Sequence, residues 1–163
     1  MAEYTSRSFD LLTLGQLLLR LSPPDNDRLS RGDTFVKQVG GAELNVAVGA
    51  SLLGLRTGVI SKLPSHDIGS FMKGKIRSFG VSDDFFMYDD SPSARVGIYY
   101  YENGAYPRKP KVIYDRMNSS FFSLNIDEIP KEVYTASKCF HTTGITLALS
   151  PQIRETTIEA EKG

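Results

Sequence analysis

The chain has 163 residues, enough for one globular domain with a substantial core. Its hydrophobic share of 40% and charged share of 23% are ordinary for a folded domain. The 19 basic residues are balanced by 19 acidic ones, which excludes the basic footprint of a nucleic-acid binder. A single cysteine, Cys139, cannot make a disulfide framework and, in its apolar setting, reads as a buried small hydrophobe. The apolar run Leu17–Leu19 is cut at once by Arg20, so no membrane span or signal segment is expected and the chain reads as cytoplasmic.

In chain order, Phe9–Leu14 is a continuous apolar run ending at Gly15 and predicts a buried strand, with Gln16 at its carboxyl end. Leu17–Leu21 continues extended and stops at Ser22-Pro23-Pro24. Thr34–Val39 alternates like a strand with one wet face. The pair Gly40-Gly41 then closes that strand, and a small-residue helix is predicted from Ala42 to Leu53. A second buried strand covers Thr57–Leu63, and Ser65 or Asp67 is placed to cap an amphipathic helix running to Phe79. Such strand–helix alternation predicts parallel pairing with right-handed crossovers.

The pattern changes after Gly80. Phe85–Tyr88 reads as a short strand, and Arg95–Glu102 and Lys111–Arg116 as an antiparallel hairpin around a Gly/Pro-rich connection. A short helix over Lys131–Ala136 and a strand over Lys138–Ile145 follow, then a helix opening at Pro151.

The chemistry concentrates at Gly40-Gly41. Glycines at a strand-to-helix turn let a ligand approach the backbone, and the helix behind offers unpaired N–H groups and a positive dipole end. The letters do not form G-x-G-x-x-G, and no Gly-Lys-Ser/Thr phosphate loop occurs. Asn45 can donate and accept toward hydroxyls, Tyr99 and Tyr114 offer ring faces with an OH each, and Arg116 offers a planar fork for a carboxylate. Tyr114 and Arg116, two apart, project to one face of a strand. Each also has a plainer role: lid packing for Tyr99, a solvated strand end for Arg116, a turn bridge for Asn45. His141 reads as a satisfied core or turn histidine and His66 as a surface helix entry. No cluster has metal-ligand spacing, and no metal is expected.

The block Gly40-Gly41-Ala42-Glu43-Leu44-Asn45-Val46-Ala47, with Leu18–Pro24, Val112–Arg116 and Phe140–Thr146 in register around it, resembles the ribokinase-like (PfkB) carbohydrate kinases. Within that family the likeness is to 2-keto-3-deoxygluconate kinases. The resemblance implies an α/β, ribokinase-like fold: a partial doubly wound, mostly parallel sheet with an inserted antiparallel β-lid, its strands near residues 17–39 and 95–116. Gly40, Gly41, Asn45, Tyr99, Tyr114, Arg116 and Gln16 become the expected substrate-binding residues. Members of this type usually read Gly-Glu where this chain has Gly15-Gln16, which drops a charge.

The resemblance also implies phosphoryl transfer from ATP with magnesium to a sugar hydroxyl. The family's base lies in a Gly-Ala-Gly-Asp signature that this sequence lacks, so no catalytic residue is assigned. The whole chain, residues 1–163, is therefore expected to be the N-terminal, sugar-binding portion of such a kinase without the nucleotide-binding half, inactive alone and binding neither ATP nor magnesium well. The alternatives are a non-catalytic sugar-binding or interaction module, or one half of a kinase completed by another chain. A homo-oligomer through the β-lid or an exposed sheet edge is expected, with no nucleic-acid or membrane partner.

Overall fold

A computed structural model describes residues 8–162. The strands and helices are, in order, β1 (Leu11–Leu14), β2 (Leu18–Ser22), β3 (Val36–Gly40), α1 (Ala42–Leu52), β4 (Thr57–Pro64), α2 (Asp67–Ser78), β5 (Val81–Ser82) and β6 (Phe86–Asp89). They continue as β7 (Gly97–Glu102), β8 (Lys111–Asp115), α3 (Val133–Ala136), β9 (Phe140–His141), α4 (Gly144–Leu147) and α5 (Pro151–Lys162).

The first sheet runs β5-β4-β1-β9, with β6 also against β4, and every pair is parallel. Alternation along its strands divides the core between two faces. Val59 and Leu63 pack with Leu44, Ala47, Met72 and Ile76 of α1 and α2. Leu12, Leu14 and Ile60 point the other way, onto Phe121, Leu124 and Ile153. Layers on both faces explain why the strands read as unbroken apolar runs.

The second sheet runs β3-β2-β7-β8. Its outer pairs are antiparallel, and the central β2–β7 pair is parallel, so the sheet is mixed. The chain crosses from the first sheet to the second through Gly15-Gln16-Leu17 and returns at the end of β3 through Gly41 into α1. Both crossings meet at one seam. Gly41 has φ 148°, and a Cβ there would lie 2.8 Å from the Gln16 carbonyl oxygen, so both conformation and space demand glycine.

Local expectations needed correction at four places. The cap of α2 is His66, whose Nδ1 accepts from Ile68 N at 3.3 Å. Ser65 instead donates to the Asp90 carboxylate, and Asp67 is already the first helical residue. The strand expected over Lys138–Ile145 is only β9, because side chains take over where the ladder stops: Thr142 Oγ1 donates to Leu14 O at 3.0 Å. Gly144-Ile145 opens α4. Cys139 is exposed, because it leads into β9, the end strand of its sheet among the described residues. His141 is not satisfied at both nitrogens: Nε2 is buried with no hydrogen-bond partner among the described residues.

Candidate functional site

A cavity of about 220 Å³ opens at the seam between the sheets. It is lined by Gln16, Gly41, Asn45, Tyr99, Tyr114 and Arg116, with Ala42, Glu43, Leu18 and Ile145 completing the wall. Six of the seven residues expected from sequence therefore meet in one place. The seventh, Gly40, lies beneath the wall: a Cβ there would come within 2.5 Å of the Tyr99 hydroxyl, so its smallness admits that ring.

β7 and β8 bring Tyr99 and Tyr114 directly opposite each other. Their ring centroids are 5.9 Å apart at 32°, a tilted pair that forms one continuous aromatic wall. Burial pushes the Tyr99 phenol above its ordinary value, opposed by the nearby Arg20. Arg116 follows β8, with its guanidinium carbon 5.7 Å from the Tyr114 ring centre.

Gln16 is 2% exposed and makes three hydrogen bonds. Its Nε2 donates to Arg116 O at 3.0 Å and to Ser119 Oγ at 2.7 Å, and its Oε1 accepts from Arg116 Nε at 2.8 Å. Burial lowers the Arg116 value against the opposing pull of Tyr114 and the Glu43 carboxylate. The desolvated cation is thus held by a neutral neighbour.

Glu43 is the functional-looking residue that sequence reasoning missed. It is 2% exposed, in the first turn of α1, where the helix dipole favours an acid. Its Oε1 accepts from Thr143 N at 3.2 Å, Thr143 Oγ1 at 2.6 Å and Thr146 Oγ1 at 2.7 Å. A Cβ on Gly15 would collide with the same carboxylate. The signal was available: Glu43 lies four residues before Ala47, on the face of α1 that is buried.

A larger cavity of about 450 Å³ lies behind Ser119, lined mainly by serines with Asp89, Asn118 and Gln152. It contains no cation and none of the residues expected from sequence. Chemistry rather than size therefore makes the seam the candidate site. Among the described residues no group of His, Cys, Asp and Glu is arranged to hold a metal, and no helix is long and apolar enough to cross a membrane.

The pfkB family carbohydrate kinase model matches residues 8–161. This chain belongs to that family. It is 39% identical over 150 residues to a 2-dehydro-3-deoxygalactonokinase of Haloferax volcanii, covering 92% of the chain and 46% of the relative. A 5-dehydro-2-deoxygluconokinase of Listeria innocua is 29% identical, with 97% and 48% covered. The crystal structure of 2-dehydro-3-deoxygluconokinase from Thermotoga maritima superposes with TM-score 0.88 at 34% identity, covering 94% of this chain and 47% of that one. A sugar kinase of Pyrococcus horikoshii in complex with ATP superposes at TM-score 0.80 and 25% identity, with 93% and 48% covered. The PfkB chain described here thus spans about half the length of the curated relatives it matches.

Proposed function

We propose that this chain forms the sugar-gripping side of a cytoplasmic ATP-dependent carbohydrate kinase whose substrate is 2-keto-3-deoxygluconate or a related sugar acid. The observation that carries the reading is the Arg116 guanidinium, anchored through Nε by Gln16 at the rim of a small cavity with an aromatic wall. A sugar acid has a carboxylate for the fork, hydroxyls for Asn45 and the tyrosine OH groups, and a carbon skeleton for the rings. The second sheet acts as a lid over that pocket. The names of three of the similar proteins, 2-dehydro-3-deoxygalactonokinase, 5-dehydro-2-deoxygluconokinase and 2-dehydro-3-deoxygluconokinase, support the substrate class.

ATP with magnesium would supply the phosphoryl group. The residues of this chain do not fit a nucleoside triphosphate: the cavity is about 220 Å³, and Arg116 is the one cation in its wall. The sequence also lacks the Gly-Ala-Gly-Asp block. We therefore assign sugar binding to these 163 residues and phosphoryl transfer to a nucleotide-binding portion they do not supply. Contact between copies through the lid belongs to the same proposal. Titration calorimetry with 2-keto-3-deoxygluconate, paired with an ATP–magnesium assay, tests it. Saturable binding without turnover is expected; absence of binding, or turnover by the 163-residue chain alone, would overturn it.

A further inference from the structure

Glu43 is a buried carboxylate whose hydrogen bonds all run to one place. Its Oε1 accepts from Thr143 N at 3.2 Å, Thr143 Oγ1 at 2.6 Å and Thr146 Oγ1 at 2.7 Å. Burying a carboxylate is costly unless donors replace its water. Here the donors come from a segment 100 positions away in the chain, and bonds to a charged acceptor are strong ones.

That segment has little else to hold it. β9 is two residues long, and α4 is four residues with no side-chain cap of its own among the described residues. A single helical turn does not sustain itself in water, because its nucleation is unfavourable. Thr142 Oγ1 ties the chain to Leu14 O before α4 begins, and Arg154 Nε donates to Leu147 O at its far end. Between those two points, the side-chain bonds that reach α4 from another element all end on Glu43 among the described residues. Glu43 thus supplies from α1 the cap that α4 lacks.

What this latch places is Ile145. It lies between the two latched threonines, is 50% exposed and forms part of the wall of the seam cavity. Ala42 and Asn45, from the first turns of α1, belong to the same wall. One carboxylate therefore joins the α1 side of the cavity to the α4 side.

We propose that Glu43 is a positioning residue for the sugar pocket: it latches α4 to α1 and so keeps Ile145 in the wall, where it shields a bound sugar from water. The inference rests on the sugar-pocket reading above and deepens it. Glu43 acts through Thr143, Thr146 and Ile145 and is assigned no bond to the ligand.

The test pairs calorimetric titration of the 163-residue chain with 2-keto-3-deoxygluconate and amide hydrogen exchange in the absence of sugar. Glu43→Ala should weaken the sugar about tenfold, the scale of one or two apolar carbons returned to water. It should also speed exchange across residues 143–148 about tenfold relative to β4. Ile145→Ala should weaken the sugar by a similar factor. In that background Glu43→Ala should leave affinity unchanged while still loosening the amides, as a residue acting through Ile145 requires. Glu43→Gln keeps an oxygen for the three donors and should restore affinity to within about threefold. If Glu43→Ala does not fold, Thr143→Val combined with Thr146→Val removes two of the donors without altering α1 and should give the same loss.

Full affinity in folded Glu43→Ala, or in the threonine pair, overturns the inference and leaves the sugar pocket standing. So does an equal loss of affinity with and without the Ile145 side chain, the mark of general loosening. Failure of the unaltered chain to bind the sugar overturns the pocket reading and the inference with it, whatever the exchange rates.

Discussion

β4 and β8 are strands of one molecule in opposite physical situations. β4 is buried at seven of its eight positions, while all five residues of β8 are exposed. β4 has β1 along one edge, β5 and β6 along the other, and an apolar layer on each face. Among the described residues, β8 is held by a ladder to β7 and no other strand. The comparison separates stability from recognition. β4 contributes to both apolar clusters, whereas β8 presents Tyr114 and the approach to Arg116 to the cavity. A surface that receives a ligand must leave some apolar and polar groups uncovered, and β8 is where this chain does so.

Substitution of matched isoleucines gives the largest expected contrast. Ile60, in β4, is 0% exposed, whereas Ile113, in β8, is 44% exposed. Ile60→Ala should cost about 2–5 kcal/mol in denaturant unfolding, through lost burial and a cavity. Ile113→Ala should cost less than about 1 kcal/mol, the scale of one cross-strand contact. Equal costs would show that the second sheet contributes to the cooperative core as much as the first.

Gly41, at the seam, should couple the two regions. Gly41→Ala forces a Cβ toward the Gln16 carbonyl at positive φ, with an expected penalty of about 1–3 kcal/mol. Because the strain falls on the backbone of Gln16, sugar affinity should fall with it. Calorimetry showing unchanged affinity in a destabilised variant would separate the turn from the pocket.

The smallest effect concerns the entry to β1. Lys138 Nζ, 2.7 Å from Asp10, and then the Arg56 backbone N–H at 2.9 Å hold the Asp10 carboxyl well below the usual carboxylate range. A group whose folded value is depressed stabilises above its unfolded value and loses that contribution as pH falls through the folded one. Asp10→Asn should therefore lower stability slightly at neutral pH, a surface pair being worth little, and flatten the acid limb of the stability–pH curve below about pH 4 by the same small amount. Thermal melts across pH 2–7, with limbs of equal slope in both proteins, would remove Asp10 from the account.

Much of this was legible in the letters. The buried strands appeared as apolar runs because both faces are covered, and α1 declared itself by a glycine pair followed by small residues. The hairpin was visible in the aromatic alternation of β7 and the Gly/Pro break before β8. Exposure of Cys139 was not legible, because an apolar neighbourhood in sequence says nothing about which strand ends a sheet. Nor was the early end of β9, where threonine side chains replace the ladder. The β2–β7 pairing, between segments about 80 residues apart, likewise left no local trace.

The sequence by itself determined the alternating α/β order through periodicity and turn chemistry, and the family and six residues of the candidate pocket's wall through the resemblance its motifs carry. Only the tertiary structure decided what those residues do to one another. Gln16 and Arg116 are separated by 100 positions, and Glu43 and Thr143 by the same distance, so neither partnership exists until the chain has crossed twice between the sheets. Charge compensation is a property of what surrounds a side chain, and surroundings of that kind are assembled by folding.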